Sequence, residues 1–417
     1  MEYGLIGAKL GHSYSKIIHE QLYGGPYELH ALPTEAEARA FFAAKDFKAV
    51  NVTIPYKRLV MEYCDEIEPM AAEIGAVNTV VNRGGRLYGC NTDAAGFAYL
   101  ARAHGIDFAG RTVLILGTGG THNTVRHVVT AARAAQVLTA SRRPDAAKGE
   151  LSYAEAAACG AQIVVNTTPA GMYPDVGVCP LDVAAMPRLE AVLDVVYNPF
   201  RTELLLRAEE AGAKAACGFE MLVAQAVFAA EYFLGRKFPE GEIERVHGAL
   251  KSRLVNVSLI GMPSCGKTSI GKALSKRLGK RFVDIDAEIA AAAGMCIPDI
   301  FAAEGEAGFR LREAEQTARL AKENGQLLSC GGGIIKTPGN AQLLHQNGCV
   351  LWIRRPLAAL AAGGERPLSR DEAALRAMEA ERTPLYAAAA DAVIDNDTEF
   401  TAAVDAAERA FHEIYRY

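Results

Sequence analysis

Tryptophan occurs once in this chain, the C-x-x-C pairing of cysteines is missing, and no apolar run reaches the ~18–20 residues that a membrane-spanning helix needs. The nine cysteines (Cys64, Cys90, Cys159, Cys179, Cys217, Cys265, Cys296, Cys330 and Cys349) are odd in number, irregularly spaced and unmatched by histidines. That pattern excludes a zinc ribbon or a disulfide scaffold and points to reduced thiols in a reducing compartment. With 44 basic and 49 acidic residues the net charge is only −5, so no charge excess marks a nucleic-acid or anionic-membrane partner. The opening stretch MEYGLIGAKLGHSYSK lacks an apolar core behind a basic one, and no signal peptide is expected. Repeats, low-complexity tracts and Pro- or Ser-rich linkers are also missing. The expectation is a soluble, cytoplasmic protein whose partners are small molecules, with neither nucleic acid nor membrane, as a monomer or a homodimer.

What is present is an α/β pattern. Half of the residues are hydrophobic and 22% are charged, and 417 residues exceed the ~250–300 that one core accommodates, so two or three folded units are expected. Short apolar runs read as buried parallel strands at TVLILG (112–117), IVVN (163–166), VLDVV (192–196), LVNVSLIG (254–261) and VLWI (350–353), separated by helix-periodic stretches. Phe219 to Leu234 reads as an apolar helix interrupted by Gln225. Two strand–glycine–helix units, beginning at Thr112 and Leu254, suggest two nucleotide sites, with a boundary between GEIERVHGALKSR (241–253) and Leu254.

In the first half, Gly117, Thr118, Gly119, Gly120 and Thr121 follow a buried strand and open a helix. Glycines there permit a tight turn whose N–H groups approach a pyrophosphate, although an ordinary glycine turn looks the same. The next strand ends in Ser141-Arg142-Arg143, where arginines suit the 2′-phosphate of NADP. NVTIPYK (51–57) and GCNTD (89–93) place Lys57 and Asp93 in polar, turn-rich settings. A carbonyl reduction needs a proton donor at oxygen, and a lysine held by a carboxylate can be one. Spacing alone would leave both as surface charges.

Residues 1–250 resemble shikimate dehydrogenase along their whole length, on GLIGAKLGHSYSKIIH, NVTIPYK, AVNTV, NTD, VNTTPAGM, DVVYNPFRTELL and GFEMLVAQA. The resemblance implies Lys57 as acid/base with Asp93 as its partner, and substrate contacts from Ser13, Ser15, Thr53, Lys57, Asn78, Asp93, Tyr197 and Gln225. It adds Thr167, Val195 and Gly218 to the NADP contacts. Ser141 stands where the family usually has Asn, and a later family arginine falls on Ala146.

In the second half, GMPSCGKT (261–268) fits G-x-x-x-x-G-K-[ST] between a strand and a helix. Such a loop cradles phosphates, with Lys267 reaching the β/γ-phosphates and Thr268 on Mg²⁺. FVDID (282–286) supplies two carboxylates expected to leave a strand on one side. About residues 254–417 resemble shikimate kinase, on the P-loop, FVDID, GMCIPDIFAAEGEAGFRLREAE, LSCGGGIIK, ERPLS and ERTPLY. The resemblance implies ATP contacts from Pro263, Ser264, Cys265, Gly266, Lys267, Thr268, Ser269 and the lid residue Arg366. It implies shikimate contacts from Asp286, Arg310, Gly332 and Arg382, Mg²⁺ on Thr268 and Asp284, and catalytic roles for Lys267 and Asp284.

The expected architecture is therefore α/β throughout. A substrate domain (1–95 and 219–250) surrounds an NADP-binding Rossmann domain (96–218), and a P-loop kinase domain with a parallel sheet follows (254–417). The expected function is bifunctional, in aromatic amino acid biosynthesis. One half reduces 3-dehydroshikimate to shikimate with NADPH, and the other phosphorylates shikimate with ATP and Mg²⁺. The alternatives are a quinate/shikimate dehydrogenase fused to another P-loop metabolite kinase, or one half retained as a non-catalytic ligand-sensing module.

Overall fold

The β-branched runs of the sequence form three sheets in a computed structural model that describes residues 1–11, 13–360, 372–397 and 399–415. The chain divides into two units, Met1–His247 and Gly248–Tyr417.

The first unit holds two sheets. One is mixed and contains β1 (Tyr3–Gly7), β2 (Glu28–Ala31), β3 (Ala49–Val52), β4 (Glu66–Ile67), β5 (Thr79–Arg83) and β6 (Arg86–Cys90), in the order β2-β1-β3-β5-β6-β4. β5 and β6 form a hairpin whose two turn glycines, Gly84 and Gly85, have φ of 63° and 89°, the backbone that a tight two-residue hairpin loop requires. The β3–β5–β6 register pairs Asn51 with Thr79 and Thr79 with Cys90. The end of β3, the start of β5 and the end of β6 therefore meet at one sheet edge.

The second sheet is all parallel: β7 (Thr112–Leu116), β8 (Gln136–Ala140), β9 (Ile163–Asn166), β10 (Ala191–Asp194) and β11 (Lys214–Cys217), in the order β11-β10-β9-β7-β8. Its strands are continuous apolar runs because helices cover both faces. Val113, Ile115, Val165 and Leu193 face one core, with Phe97 and Leu100, while Leu114, Leu116, Val164 and Val192 face the other. The helix Gly218–Leu234 lies tight against the helix Thr92–Ala103, where a Cβ on Gly96 would stand 2.8 Å from Met221 O. That approach brings Gln225 alongside Thr92.

The second unit has one parallel sheet: β12 (Asn256–Ile260), β13 (Arg281–Asp284), β14 (Gln326–Ser329), β15 (Gly348–Arg354) and β16 (Ala392–Asp395), in the order β13-β14-β12-β15-β16. In both parallel sheets the connections depart to opposite sides of the first strand, opening a crevice at its carboxyl end.

Three local expectations are corrected. The strand expected from Leu254 begins at Asn256, because the helix Glu242–Leu254 takes up the preceding residues. Glu242 and Glu244 in its first turn and Lys251 and Arg253 in its last match the helix dipole, and Lys280 Nζ donates to the Ser252 and Val255 carbonyls at 2.8 and 2.6 Å. β10 stops at Asp194 instead of Val196, since the Asp194 carboxylate turns the chain by accepting Val196 N at 3.0 Å. β13 ends at Asp284, so Asp286 stands in the first turn of the helix Ile285–Ala293 and not on the strand with Asp284.

Asp194 is fully buried and also accepts from Asn166 Nδ2 at 2.9 Å and Thr202 Oγ1 at 2.7 Å. Burial pushes its carboxyl from 3.8 up to about 7, against the three hydrogen bonds. The folded chain thus keeps a proton that the unfolded chain loses between about pH 4 and pH 7, so this group lowers stability as pH rises through that window. Asp194→Asn should flatten the decline, by on the order of a few kcal/mol. Calorimetric melts of both chains at about pH 5 and about pH 7.5 test this; parallel declines would clear Asp194 of the effect.

Candidate active sites

At the edge where β1, β3, β5 and β6 meet, the first unit encloses a cavity of about 360 Å³. Ser13, Ser15, Thr53, Lys57, Asn78, Asp93, Tyr197 and Gln225 all line it, so the eight residues expected to contact the dehydrogenase substrate lie around one cavity. Lys57 Nζ stands 2.6 Å from Asp93 Oδ2, with both side chains mostly buried. Asp93 lies in the first turn of the helix Thr92–Ala103, which Asn91 caps by accepting Ala94 N at 3.2 Å, so the helix dipole favours its negative charge.

Behind this pair runs a buried polar chain. Asn78 Oδ1 accepts Thr92 N at 2.7 Å, and Asn51 links Tyr27 Oη, at 2.7 Å, to Thr79 Oγ1, at 3.1 Å. Ser13 Oγ donates to Ser15 Oγ at 3.0 Å. Burial raises the Tyr197 phenol above its usual range, keeping it a neutral donor. Asn51, a further lining residue, lay inside the NVTIPYK block without being singled out. Its signal was a polar residue in an otherwise apolar strand, which implies a buried hydrogen-bond partner.

The second cavity, about 890 Å³, opens at the carboxyl ends of β7, β8 and β9 and is lined by Gly117, Thr118, Gly119, Ser141, Arg142, Arg143 and Thr167. Gly117 has φ 97°, and a Cβ there would meet Thr168 Cγ2 at 2.7 Å. A Cβ on Gly119 or Gly120 would meet nothing, so the N-terminus of the helix Gly120–Ala131 faces open space. A wide crevice with a bare helix start and two exposed arginines fits an anionic dinucleotide. Gly120 and Thr121 begin the helix, and Val195 and Gly218 sit where β10 and β11 end; none of these four lines this cavity. Gly218 is required nonetheless, since a Cβ would collide with Val195 O.

In the second unit Gly261 (φ 141°), Ser264 (φ 61°) and Gly266 (φ 105°) bend the loop between β12 and the helix Lys267–Leu278. Lys267, 6% exposed, donates to Gly261 O and Met262 O at 2.8 Å each. Thr268 Oγ1 lies 3.1 Å from Asp284 Oδ2 and 3.3 Å from Ser329 Oγ. Asp284 Oδ1 meanwhile caps the helix Ile285–Ala293 by accepting Asp286 N at 3.1 Å. A hydroxyl and a carboxylate converging at the lysine end of such a loop is a donor set that fits Mg²⁺ beside nucleotide phosphates. Pro263, Cys265 and Ser269 belong to this loop and helix start, and Asn396 Nδ2 braces it by donating to Cys265 O at 2.8 Å. Arg366 lies outside the described residues.

Next to the loop, the glycines 331–333 pass through a crowd of charge. A Cβ on Gly331 would stand 2.7 Å from Asp286 Oδ1 and 2.8 Å from Glu313 Oε1; one on Gly332 would stand 3.0 Å from Pro263; one on Gly333 would strike the Arg310 guanidinium. Arg382 Nη1 donates to Gly332 O at 2.9 Å, and Tyr386 Oη donates to the same oxygen. Arg310 is held by Glu313 at 2.7 Å and Glu306 at 3.2 Å. The Glu313 carboxyl is raised by burial although Arg310 opposes the shift. Glu313 and Tyr386 were not singled out in the sequence. Glu313 stands three residues after Arg310 on one helix, a spacing that makes the two neighbours on one face.

A family model of the shikimate dehydrogenase substrate-binding domain matches residues 5–80, and one of shikimate kinase matches residues 263–414. The NADP⁺ shikimate dehydrogenase of Symbiobacterium thermophilum is 37% identical over 264 residues, covering 57% of this chain and 90% of that protein. The chain belongs to the shikimate dehydrogenase family. A Clostridium perfringens dehydrogenase is 33% identical over 60% of this chain and 98% of its own length. Among solved structures, a chorismate mutase/shikimate 5-dehydrogenase fusion protein from Clostridium acetobutylicum superposes with a TM-score of 0.57 at 32% identity, over 60% of this chain and 96% of that one. The Thermus thermophilus shikimate 5-dehydrogenase in complex with NADP(H) and shikimate has a TM-score of 0.53 at 31% identity, over 59% and 98%. The dehydrogenase relatives thus account for the first unit, and the shikimate kinase match accounts for most of the second. A P-loop kinase of another kind is not favoured.

Within the kinase unit, Glu313→Ala would leave the half-buried Arg310 without its closest carboxylate. A hydrogen bond to a charged group is worth ~1.5–3 kcal/mol, so the KM for shikimate should rise about 10- to 100-fold while the KM for ATP holds. Steady-state kinase kinetics test this; equal effects on both substrates would detach Glu313 from the acceptor side.

Proposed function

We propose that this chain is a bifunctional enzyme of the shikimate pathway. It reduces 3-dehydroshikimate to shikimate with NADPH in the first unit, and phosphorylates shikimate with ATP in the second. The observation that carries the reading is the Lys57–Asp93 contact of 2.6 Å, set in a cavity lined by all eight expected substrate residues. The proposed division is a substrate domain of residues 1–95 and 219–250, an NADP-binding domain of 96–218, and a kinase domain of 254–417.

NADPH, when bound along Gly117–Thr121, Ser141–Arg143, Thr167, Val195 and Gly218, supplies the hydride. The residues of the chain do the rest. Ser13, Ser15, Thr53, Asn78, Tyr197 and Gln225 orient the ring through neutral hydrogen bonds. Lys57 donates its proton to the carbonyl oxygen as that oxygen gains charge, and Asp93 holds the ammonium in place. In the kinase unit Lys267 exchanges its loop carbonyls for phosphate oxygens, and Thr268 and Asp284 would hold Mg²⁺, which neutralises phosphate charge. Asp286, Arg310, Gly332 and Arg382 hold shikimate, with both arginines on its carboxylate and Asp286 or Asp284 accepting the hydroxyl proton. Nothing in the described residues is long and apolar enough to cross a membrane. The reading has the chain working in the cytoplasm on small molecules, as a monomer or homodimer.

Purified chain supplied with 3-dehydroshikimate, NADPH, ATP and Mg²⁺ should yield shikimate 3-phosphate, identified by mass. Lys57→Ala should lower the reductase kcat by ~10²–10⁴-fold, leaving NADPH binding and the phosphorylation of added shikimate intact. Lys267→Ala should do the reverse. A Lys57→Ala chain that keeps most of its reductase kcat would remove Lys57 from the mechanism.

Replacing Arg142 and Arg143 together with neutral residues should raise the KM for NADPH far more than that for NADH, each charge-assisted contact being worth ~1.5–3 kcal/mol. Equal rises would show that neither arginine reads the 2′-phosphate.

A further inference from the structure

Ser13 and Ser15 line the substrate cavity, and the residue between them is Tyr14. The backbone of this turn is braced. Ser13 N donates to Leu10 O at 3.3 Å, Ser15 N donates to Ser13 Oγ at 3.2 Å, and Tyr14 O accepts Ile18 N at 3.1 Å from the helix Ser15–Tyr23. Tyr197 lines the same cavity from the other sheet of this unit. β10 ends at Asp194, and Tyr197 lies beyond it in chain that is neither helix nor strand.

A ring on irregular chain takes its direction largely from what it packs against. Tyr14 stands beside the Tyr197 ring, with centroids 5.6 Å apart and planes tilted by 54°. Tyr14 in turn meets Phe219 edge-on, at 5.9 Å and 89°, and Phe219 meets Phe200 at 5.2 Å and 78°. Phe219 is buried and lies in the first turn of the helix Gly218–Leu234, whose Leu222 and Gln225 also line the cavity. Tilted and edge-on rings at such separations attract through their quadrupoles, beyond the area they bury, so they favour particular directions. An aliphatic side chain at position 14 would keep the apolar contact and lose that directional preference. One ring thus joins the serine turn, the Tyr197 stretch and the helix that bears Gln225.

We propose that Tyr14 is a positioning residue of the dehydrogenase unit: its ring directs Tyr197, so that the phenol meets the substrate held by Ser13 and Ser15. Tyr14 is not itself among the residues lining the cavity. The proposal rests on the dehydrogenase reading above. Tyr14→Leu should raise the KM for 3-dehydroshikimate about five- to tenfold, the scale of one lost ring pair. The kcat and the KM for NADPH should stay within about twofold, the split that follows when ground state and transition state lose the same contact. Tyr14→Phe keeps the ring and should restore the KM for 3-dehydroshikimate. In a Tyr197→Phe background no phenol is left to direct, and there Tyr14→Leu should change the KM by less than about twofold. An unchanged KM in Tyr14→Leu, or a full effect that persists beside Tyr197→Phe, would overturn the role of Tyr14. So would a Tyr14→Phe chain as impaired as Tyr14→Leu, or a joint loss of kcat and NADPH affinity, which marks a unit that has only lost stability. An unaltered chain with no reductase activity would overturn the dehydrogenase reading and this role with it.

Discussion

A parallel strand delivers its next residue to the same edge of the sheet as its neighbours do, and nearly every polar group of interest in this chain follows from that polarity. Gly117, Ser141 and Thr167 leave β7, β8 and β9 at one edge; Gly261, Asp284 and Cys330 leave β12, β13 and β14 at another. In each parallel sheet the chain passes first to one side of the first strand and later to the other, which leaves a crevice at that strand's carboxyl end. Only a turn with bare N–H groups uses that opening for phosphate, which is why φ is 97° at Gly117 and 105° at Gly266. In the mixed sheet the hairpin reverses β5, so that the start of β5 joins the ends of β3 and β6. Without the reversal, Asn78 would lie at the far edge from Lys57.

Once polar groups are gathered at a buried edge, each must be satisfied, and the satisfaction ties elements together. Asp284 shows the economy: one carboxylate oxygen caps a helix and the other meets Thr268. Asp194 joins Asn166, Val196 and Thr202, fixing the turn that carries Val195 and Tyr197 between two sites. Glu313 and Arg310 are a buried pair of the kind that costs desolvation and gives little net stability, so its retention is better explained by the position it gives the guanidinium. These carboxylates act on substrate-facing groups from behind them.

The two nucleotide turns, the strands around them and the long helix near Gln225 were legible because glycine, apolar run length and periodicity are local signals. The eight residues of the reductase cleft came from scattered blocks, and only the family resemblance assembled them; no spacing in the sequence says that Ser13 and Gln225 face one cavity. What was missed is instructive in kind. Asn51, Glu313 and Asn396 contact other protein groups first, and their partners are distant in sequence or out of sight behind a motif. The helix Glu242–Leu254 was cut short in expectation because VNVSLI is so clear a strand that its flanking Leu254 was counted with it. The helix dipole pattern of Glu242, Glu244, Lys251 and Arg253 was the contrary signal.

Under the proposed assignment both units recognise the same small acid, yet with different chemistry, and the reactions explain the difference. Carbonyl reduction creates a single developing negative charge, which one proton from Lys57 cancels. A cleft mainly of hydroxyls and amides around the Lys57–Asp93 pair is enough. Phosphoryl transfer brings a polyanionic nucleotide against an anionic acceptor, so repulsion must be offset before the two can meet. The kinase unit accordingly sets Arg310 and Arg382 against its glycines 331–333, and tempers Arg310 with Glu313 and Glu306. A site built of guanidinium groups tempered by carboxylates can grip a carboxylate that the hydroxyl-lined site merely orients.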